Sequence, residues 1–290
     1  MSRNNIRYFH SITVLGKLTI SFSVALTALT GYVLKSQNFD LELILPVLGV
    51  FFLSVGSSAL NHIQEKHLDA LMERTRERPL PSGDISFKSA LFFSLTMLII
   101  GSILLLISNL YAFLLGLLAV VWYNLIYTNL KRRTAFAAVP GAIIGAIPPL
   151  IGWVAAGGKL LDYQIIVVAF FFFIGQIPHF WLILLKYGKE YELAGFPSLT
   201  GFFKDIQIKR LTFTWIVALA VSSLLFPLTG IISSVLPIVI LVLLSSLLIL
   251  SFSQNIFSNK KEFNFGHAFF HLNLYFLLVM LLIIVNAVTY

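Results

Sequence analysis

Residues 236–250 read LPIVILVLLSSLLIL, a tract without a single charged residue, and tracts of this kind recur along the chain. A helix that crosses a bilayer needs about 20 mainly apolar residues. Nine such stretches can be delimited, near residues 14–34, 42–62, 89–109, 111–128, 136–157, 163–185, 211–230, 234–254 and 268–288. The pattern therefore predicts an all-α, polytopic membrane protein with nine transmembrane helices, in which residues 1–290 form a single membrane-embedded domain.

The composition supports the same fold class. Of 290 residues, 58% are hydrophobic and 11% are charged, and the mean hydropathy is +0.93. An ordinary soluble domain is roughly 45–50% apolar and about 25% charged. These values exclude a soluble globular protein, and they leave too little charge for nucleic-acid binding to be the main role. The absence of cysteine excludes disulfides, thiolate metal sites and cysteine nucleophiles.

The basic residues predict the orientation in the membrane, because Lys and Arg are retained in cytoplasmic loops. The odd-numbered connections between the nine stretches hold only Lys35 and Lys159. The other eighteen basic residues, including Lys260 and Lys261, lie at the N-terminus or in even-numbered connections. This distribution predicts a cytoplasmic N-terminus.

Acidic residues concentrate in residues 61–83, which read NHIQEKHLDALMERTRERPLPSG. Asn61, Glu65 and Asp69 follow one another at i, i+4 spacing, so on a helix they line one face. Magnesium prefers oxygen ligands of this kind and commonly shares them with substrate phosphates. The spacing therefore indicates a candidate magnesium and phosphate face.

The same segment contains arginines whose role the spacing leaves open. Arg74 and Arg78 repeat the four-residue interval and would suit a bidentate phosphate clamp. The alternative is a solvated loop in which Glu73 and Glu77 pair with the arginines. Pro79 and the residues that follow it end the helix, either as a plain terminator or as a loop that covers a bound diphosphate.

A second polar cluster lies in residues 179–197, HFWLILLKYGKEYELAGFP, where the charged residues are Lys186, Lys189, Glu190 and Glu192. Two polar clusters on one side of an apolar bundle would let a polar head group meet a membrane-soluble tail. His179 follows a proline and is either an interior hydrogen-bonding residue or a ligand. His267 and His271 lie at i, i+4 and are interpreted as interfacial anchors rather than as a metal site.

The order of these residues resembles the first signature of the UbiA-type membrane prenyltransferases. That signature is carried by Asn61, Glu65, Asp69, Met72, Arg74, Thr75, Arg78, Pro79, Leu80 and Gly83. Further stretches agree in order: YTNLKRRT from Tyr127, GAIIGAIPPLIGW from Gly141, PHFW from Pro178, and residues 186–197. The pattern of residues 72–80 is most similar to the branch that farnesylates heme. The resemblance implies nine helices around a central cavity.

The resemblance also implies an activity. A farnesyl group would pass inside the membrane from farnesyl diphosphate to a vinyl group of heme B, with Mg²⁺ as the cofactor and heme as a substrate rather than a prosthetic group. The enzyme would lie in the plasma (inner) membrane with its active site facing the cytoplasm. It would work beside heme A synthase or terminal oxidase assembly proteins.

Site residues follow from the resemblance position by position. The catalytic set would be Asn61, Glu65, Asp69, Lys186 and Glu190, and the magnesium ligands Asn61, Glu65, Asp69 and Glu190. Substrates would contact Arg74, Arg78, Lys131, Arg132, Arg133, His179, Tyr187 and Tyr191. Lys131, Arg132 and Arg133 would meet heme propionates, and His179 the porphyrin or its iron.

Two departures from the family pattern bear on the acceptor. Glu65 and Glu190 stand where aspartate is usual, so each carboxylate reaches further by a methylene. Tyr187 and Tyr191 replace the aspartate-rich second motif of members that prenylate aromatic rings, which favours the heme branch. Two alternatives remain open: a prenyltransferase with an aromatic or quinone-precursor acceptor, and a non-catalytic heme or isoprenoid carrier.

Overall fold

The computed structural model describes residues 3–257 and 263–290. Lys260 and Lys261, which the charge distribution assigns to the cytoplasmic side, lie outside the described residues. No strand occurs in the described part of the chain. The all-α prediction is therefore confirmed for that part.

Nine helices within the described ranges are long and apolar enough to cross a membrane. In chain order, spans one to nine are Leu18–Ser36, Leu41–Asp69, Phe87–Ser108, Leu110–Leu130, Ala138–Ala155, Tyr163–Leu193, Asp205–Leu228, Val235–Phe257 and Phe265–Thr289. Each overlaps one of the nine stretches delimited from the sequence.

Two spans end later than the hydropathy pattern indicates. Span two continues to Asp69 instead of residue 62, and span six to Leu193 instead of residue 185. The nine predicted stretches leave residues 63–88 and 186–210 as connections, which we expect to be cytoplasmic motif loops, and both connections are partly helical in the structure. A helix satisfies its own backbone hydrogen bonds and can continue where the sequence turns polar. Glu65 and Asp69 of the first cluster and Glu190 and Glu192 of the second consequently stand on helix ends.

Each span packs against the next one in sequence, and span nine returns to spans one and six. Span one also packs closely against span five. A Cβ at Gly31 would lie 2.0 Å from the carbonyl oxygen of Pro149, and one at Gly152 would lie 1.8 Å from that of Ala28. The two backbones touch because these positions have no side chain.

The outer surface is apolar. Large aliphatic side chains such as Ile99, Ile103, Leu243 and Leu247 are exposed along the middle of spans three and eight. A soluble protein seldom exposes continuous apolar area on this scale. The chain is therefore a multi-pass integral membrane protein.

Candidate active site

The predicted oxygen-rich face exists at the end of span two. Asn61, Glu65 and Asp69 are 2%, 5% and 1% exposed. The Asn61 side-chain amide donates to the Thr128 hydroxyl of span four over 3.2 Å. The i, i+4 spacing therefore does place the three side chains together, and in the protein interior rather than on a solvated surface.

Both buried carboxylates face a cation. One guanidinium nitrogen of Arg78 lies 2.8 and 2.7 Å from the two carboxylate oxygens of Asp69. The Lys131 ammonium lies 2.5 Å from Glu65 Oε1. A buried carboxylate needs such a partner because burial of an unpaired charge is costly. The alternative in which Glu73 or Glu77 pairs with Arg78 does not hold, since Arg78 pairs with Asp69.

The loop between spans two and three packs against two separate apolar clusters. Met72 is buried with Ala194 and Phe196 behind span six. Leu80 is buried in a second apolar cluster that includes Leu15. The Thr75 hydroxyl donates to the Asp69 carbonyl oxygen over 2.8 Å. These contacts hold Arg78 next to Asp69 and fold the loop over the end of span two.

Arg74 links this loop to span six. Its backbone N–H donates to Glu190 Oε2 over 3.1 Å, and its guanidinium donates to the Tyr191 hydroxyl over 3.3 Å. The guanidinium carbon also lies 4.7 Å from the centroid of the Tyr187 ring. The two polar clusters therefore face each other, as the sequence predicts.

The second cluster does not meet the first at a common metal position. Glu190 accepts a hydrogen bond from the loop backbone, and the Lys186 ammonium lies over the rings of Tyr187 and Phe265 at 4.9 and 4.8 Å. Among the described residues, no three His, Cys, Asp or Glu side chains gather closely enough to hold a metal. In this structure Glu190 holds the loop and stands apart from Glu65 and Asp69.

Three consecutive basic residues follow span four. Lys131 lies inside, between Glu65 and the ring of Phe196. Arg132 is exposed and donates to the Gln64 carbonyl oxygen over 2.8 Å, while Arg133 is exposed. Only the first of the three therefore reaches the buried carboxylates.

His179 lies among aromatic rings in span six. Its ring centroid is 4.7 Å from that of Phe269 and 6.1 Å from that of Phe180. Within the described residues its imidazole makes no hydrogen bond, so the structure does not show the interior hydrogen bond that was the alternative to a ligand role. Phe180 in turn stacks on Tyr127, and Tyr127 on Tyr123. These rings form an aromatic wall across spans four, six and nine.

Lys17, one of the eighteen basic residues that the charge distribution places on the cytoplasmic side, belongs to the site. The residue connects helix Arg3–Leu15 to span one with a left-handed φ of 45°. Burial and the positive charges of Arg78 and Lys131 lower the pKa of Lys17 from 10.5 to about 7. No sequence spacing relates residue 17 to residues 65 and 78, so no local pattern could have identified it.

His62 is a second residue that the pattern did not identify. It is buried beside the carboxylate face, and neither of its ring nitrogens has a hydrogen-bond partner among the described residues. Buried polar groups are normally satisfied. The two ring nitrogens are therefore polar atoms at the site that no described residue satisfies.

A magnesium ion fits the donors present. Asn61, Glu65 and Asp69 offer oxygen atoms on one helix face, and Glu65 Oε1 accepts no hydrogen bond of good geometry although it is enclosed. Magnesium is typically bound by one or two carboxylates together with substrate phosphates. Two carboxylates with adjacent cations for phosphate oxygens match that requirement.

Residues 24–274 match the model of the UbiA prenyltransferase family. The chain is 41% identical over 205 residues to protoheme IX farnesyltransferase of Geobacter sulfurreducens, covering 71% of this chain and 76% of that protein. It is 34% identical over 253 residues to protoheme IX farnesyltransferase of Aquifex aeolicus, covering 86% of each chain. These relatives share the sequence across most of the membrane domain.

Solved structures show the same fold at lower sequence identity. One of digeranylgeranylglyceryl phosphate synthase has a TM-score of 0.77 at 20% identity, covering 98% of this chain and 99% of that chain. A UbiA homolog from Archaeoglobus fulgidus bound to GPP and Mg²⁺ has a TM-score of 0.72 at 14% identity, covering 97% and 100%. The helix arrangement, the buried face at the end of span two and the family match lead to one conclusion: this chain belongs to the UbiA prenyltransferase family.

Proposed function

We propose that this protein transfers the farnesyl group of farnesyl diphosphate to a vinyl group of heme B. The observation that carries the proposal is the pair of buried carboxylates, Glu65 and Asp69, each in contact with a cation at the end of an apolar bundle. The relatives named protoheme IX farnesyltransferase support the choice of substrates.

The chemistry balances without a redox partner. The C1–O bond of farnesyl diphosphate breaks, and the diphosphate leaves with the electron pair. The allylic cation then bonds to the terminal carbon of the heme vinyl group, and the new cation beside the porphyrin is captured by water with loss of a proton. The product carries a hydroxyethylfarnesyl side chain, as in heme O.

Asn61, Glu65 and Asp69 are the residues proposed to hold magnesium. The bound ion would neutralise charge that develops on the leaving diphosphate. Arg78 and Lys131 already lie against the carboxylates, so they stand next to any phosphate placed there. Lys17 adds a third nearby cation, and stabilisation of this kind is often the largest contribution to such reactions.

The remaining wall of the site suits the organic half of the reaction. Tyr123, Tyr127 and Phe180 present aromatic rings, whose faces attract a cation. The folded loop from Met72 to Leu80 closes the polar end. Exclusion of water matters because water would otherwise capture the farnesyl cation before the vinyl group does.

His179, Arg132 and Arg133 are the residues proposed to receive heme. Neutral imidazole is a common ligand or neighbour of heme iron, and His179 lies against the flat rings of Phe180 and Phe269. Arg132 and Arg133 are exposed at the same end of the molecule as Lys131, where propionates would be accessible. The acceptor would thus bind between an apolar slot and a basic rim.

We further propose an inner-membrane location with the N-terminus and the loop of residues 70–86 in the cytoplasm, from which the product would pass to heme A synthase or oxidase assembly proteins. The chain has no cysteine, so single cysteines report orientation cleanly. In intact cells a membrane-impermeant thiol reagent should label Leu161→Cys but not Ser82→Cys, both at exposed positions. The opposite labelling pattern would invert the proposed topology.

The activity is tested by reconstituting the purified protein in lipid with Mg²⁺, heme B and farnesyl diphosphate, followed by pigment extraction and mass analysis. The expected product is heme that has gained a farnesyl and a hydroxyl group. A parallel reaction with an aromatic acid acceptor tests the alternative acceptor class. Prenylation of the aromatic acid with unmodified heme would refute the proposed acceptor, and unchanged farnesyl diphosphate in both reactions would refute the transferase activity.

A further inference from the structure

Span four contains a turn of π-helix, Trp122–Tyr127, directly before Thr128. Single π-helical turns are rare and occur frequently at functional sites, because they rotate the residues that follow. Here the backbone N–H of Thr128 donates to the Tyr123 carbonyl oxygen. The turn leaves Thr128 1% exposed and facing span two.

The π-helical turn and the adjacent Thr128 are fixed to span two by four hydrogen bonds. The Asn124 amide donates to the Ser57 carbonyl oxygen over 3.0 Å and to Gln64 Oε1 over 3.3 Å, and the Gln64 amide donates to the Asn124 carbonyl oxygen over 3.0 Å. The fourth bond joins Asn61 to Thr128. Residues 57, 61 and 64 share one helix face, so the turn and the face that carries Asn61 are held in one register.

The hydroxyl of Thr128 has one proton to donate, and the geometry shows where it goes. Oγ1 of Thr128 donates to the Tyr123 carbonyl oxygen over 2.9 Å. Towards Asn61 the hydroxyl can therefore only accept. The Asn61 atom beside it must be the amide nitrogen, so Oδ1 of Asn61 points away from Thr128 and accepts no hydrogen bond from the described residues.

From this arrangement we infer that Thr128 is a positioning residue for the magnesium site. Its hydroxyl, oriented by the π-helical turn, fixes the Asn61 amide so that Oδ1 faces the metal instead of span four. The inference rests on the proposed role of Asn61 as a magnesium ligand. Residues that orient metal ligands typically change metal affinity by about 10- to 100-fold when they are removed.

The test compares Thr128→Val, which removes the hydroxyl at nearly constant volume, with Thr128→Ser, which keeps it. The matched control is Thr212→Val, because Thr212 is also buried and its hydroxyl bonds only to the Ile208 carbonyl oxygen of its own helix. Affinity for Mn²⁺ is measured by electron paramagnetic resonance in the presence of farnesyl thiodiphosphate, an unreactive substrate analogue. Thermal unfolding is followed in parallel.

Thr128→Val should weaken Mn²⁺ binding by about tenfold or more, whereas Thr128→Ser and Thr212→Val should bind Mn²⁺ within about threefold of wild type. Combining Thr128→Val with Asn61→Ala should weaken binding no more than Asn61→Ala alone, since both changes remove the same ligand. If Thr128→Val does not fold, Thr128→Ala is used in its place with the same expectation.

Two outcomes overturn the inference. One is wild-type Mn²⁺ affinity in folded Thr128→Val, and the other is full additivity of the two losses in the double variant. Neither outcome bears on the proposed reaction, because Asn61 could still bind the metal without help. Conversely, heme that stays unmodified while Mn²⁺ affinity depends on Thr128 would refute the proposed acceptor and leave this inference standing.

Discussion

The ends of spans two and six both carry two acidic residues, yet the structure treats them differently. In span two, Glu65 and Asp69 are buried, and each contacts a cation. In span six, Glu190 is half-buried and accepts from a backbone N–H, while Glu192 is exposed and bonds to the Thr200 hydroxyl. The two helix ends carry the same number of carboxylates but differ in burial, because only Glu65 and Asp69 are withdrawn from water.

The difference in burial indicates that the ends of spans two and six have different roles. Electrostatic interactions are stronger away from water, so charge on a diphosphate is best stabilised at the end of span two. The end of span six supplies aromatic rings and a hydrogen bond that holds the loop. Variants at the two helix ends and at the aromatic wall test this difference in role.

Loss of either buried carboxylate should have the largest effect. Asp69→Asn and Glu65→Gln should each lower the farnesylation rate by more than about a hundredfold, because each removes charge from the proposed magnesium face. Glu65→Asp should keep activity, since it retains the carboxylate. The rate is measured with purified, folded protein.

Glu77→Gln is the control for these variants, because Glu77 is an exposed carboxylate in the adjoining loop. It should turn over like wild type. Near-normal turnover in either Asp69→Asn or Glu65→Gln would contradict the proposal that these carboxylates bind magnesium. It would also contradict the different roles proposed for the two helix ends.

Lys17→Met should raise the KM for farnesyl diphosphate by about tenfold or more, because a hydrogen bond to a charged group contributes about 1.5–3 kcal/mol. The pKa of Lys17 is about 7 before ligand binds, and a nearby diphosphate would raise it. Binding therefore takes up a proton, so affinity should fall by up to about tenfold per pH unit as the pH rises above 7.

Calorimetry with inorganic pyrophosphate between about pH 6.5 and about pH 8.5 measures this dependence. Pyrophosphate itself titrates, so the relevant quantity is the difference between wild type and Lys17→Met at each pH. That difference should shrink as the pH rises. A difference that stays constant with pH would show that Lys17 does not change its protonation when the anion binds.

His179→Ala tests the assignment of the acceptor to the aromatic wall. If the imidazole contacts heme, the variant should shift the heme absorption spectrum and weaken heme binding by several-fold, roughly 1 kcal/mol. Binding of farnesyl diphosphate should be unchanged, because the diphosphate site lies at the end of span two. An unaltered heme spectrum would make His179 a packing residue.

Glu190→Gln should have the smallest effect. The amide oxygen of glutamine still accepts from the Arg74 N–H, so turnover should fall by less than about threefold, whereas Glu190→Ala should cost about tenfold through loss of a hydrogen bond of 1–1.5 kcal/mol. If Glu190 is instead a magnesium ligand, as the family pattern implies, Glu190→Gln should be as damaging as Asp69→Asn. Rates of the three variants measured side by side distinguish the two roles.

Features that depend on neighbouring residues in the chain were predictable. The helical interval from Asn61 to Asp69 placed three oxygen-bearing side chains together, and the structure keeps that arrangement. The helix nevertheless ends at Asp69, before Pro79, so the expectation that the prolines end it is wrong. Pairing across space was not predictable: Arg78 lies as close in sequence to Glu77 as any residue can, yet it pairs with Asp69.

Nine spans and a polar face at the end of span two could be derived from the amino-acid sequence alone, since apolar length and helical periodicity are local properties of the chain. Which charges meet is set by the packing of the helices. Lys17, Thr128 and Glu190 obtain their partners because helices far apart in sequence pack side by side. The physical reason is that burial and hydrogen-bond direction depend on the neighbouring helix, and one helix's own sequence does not encode that neighbour.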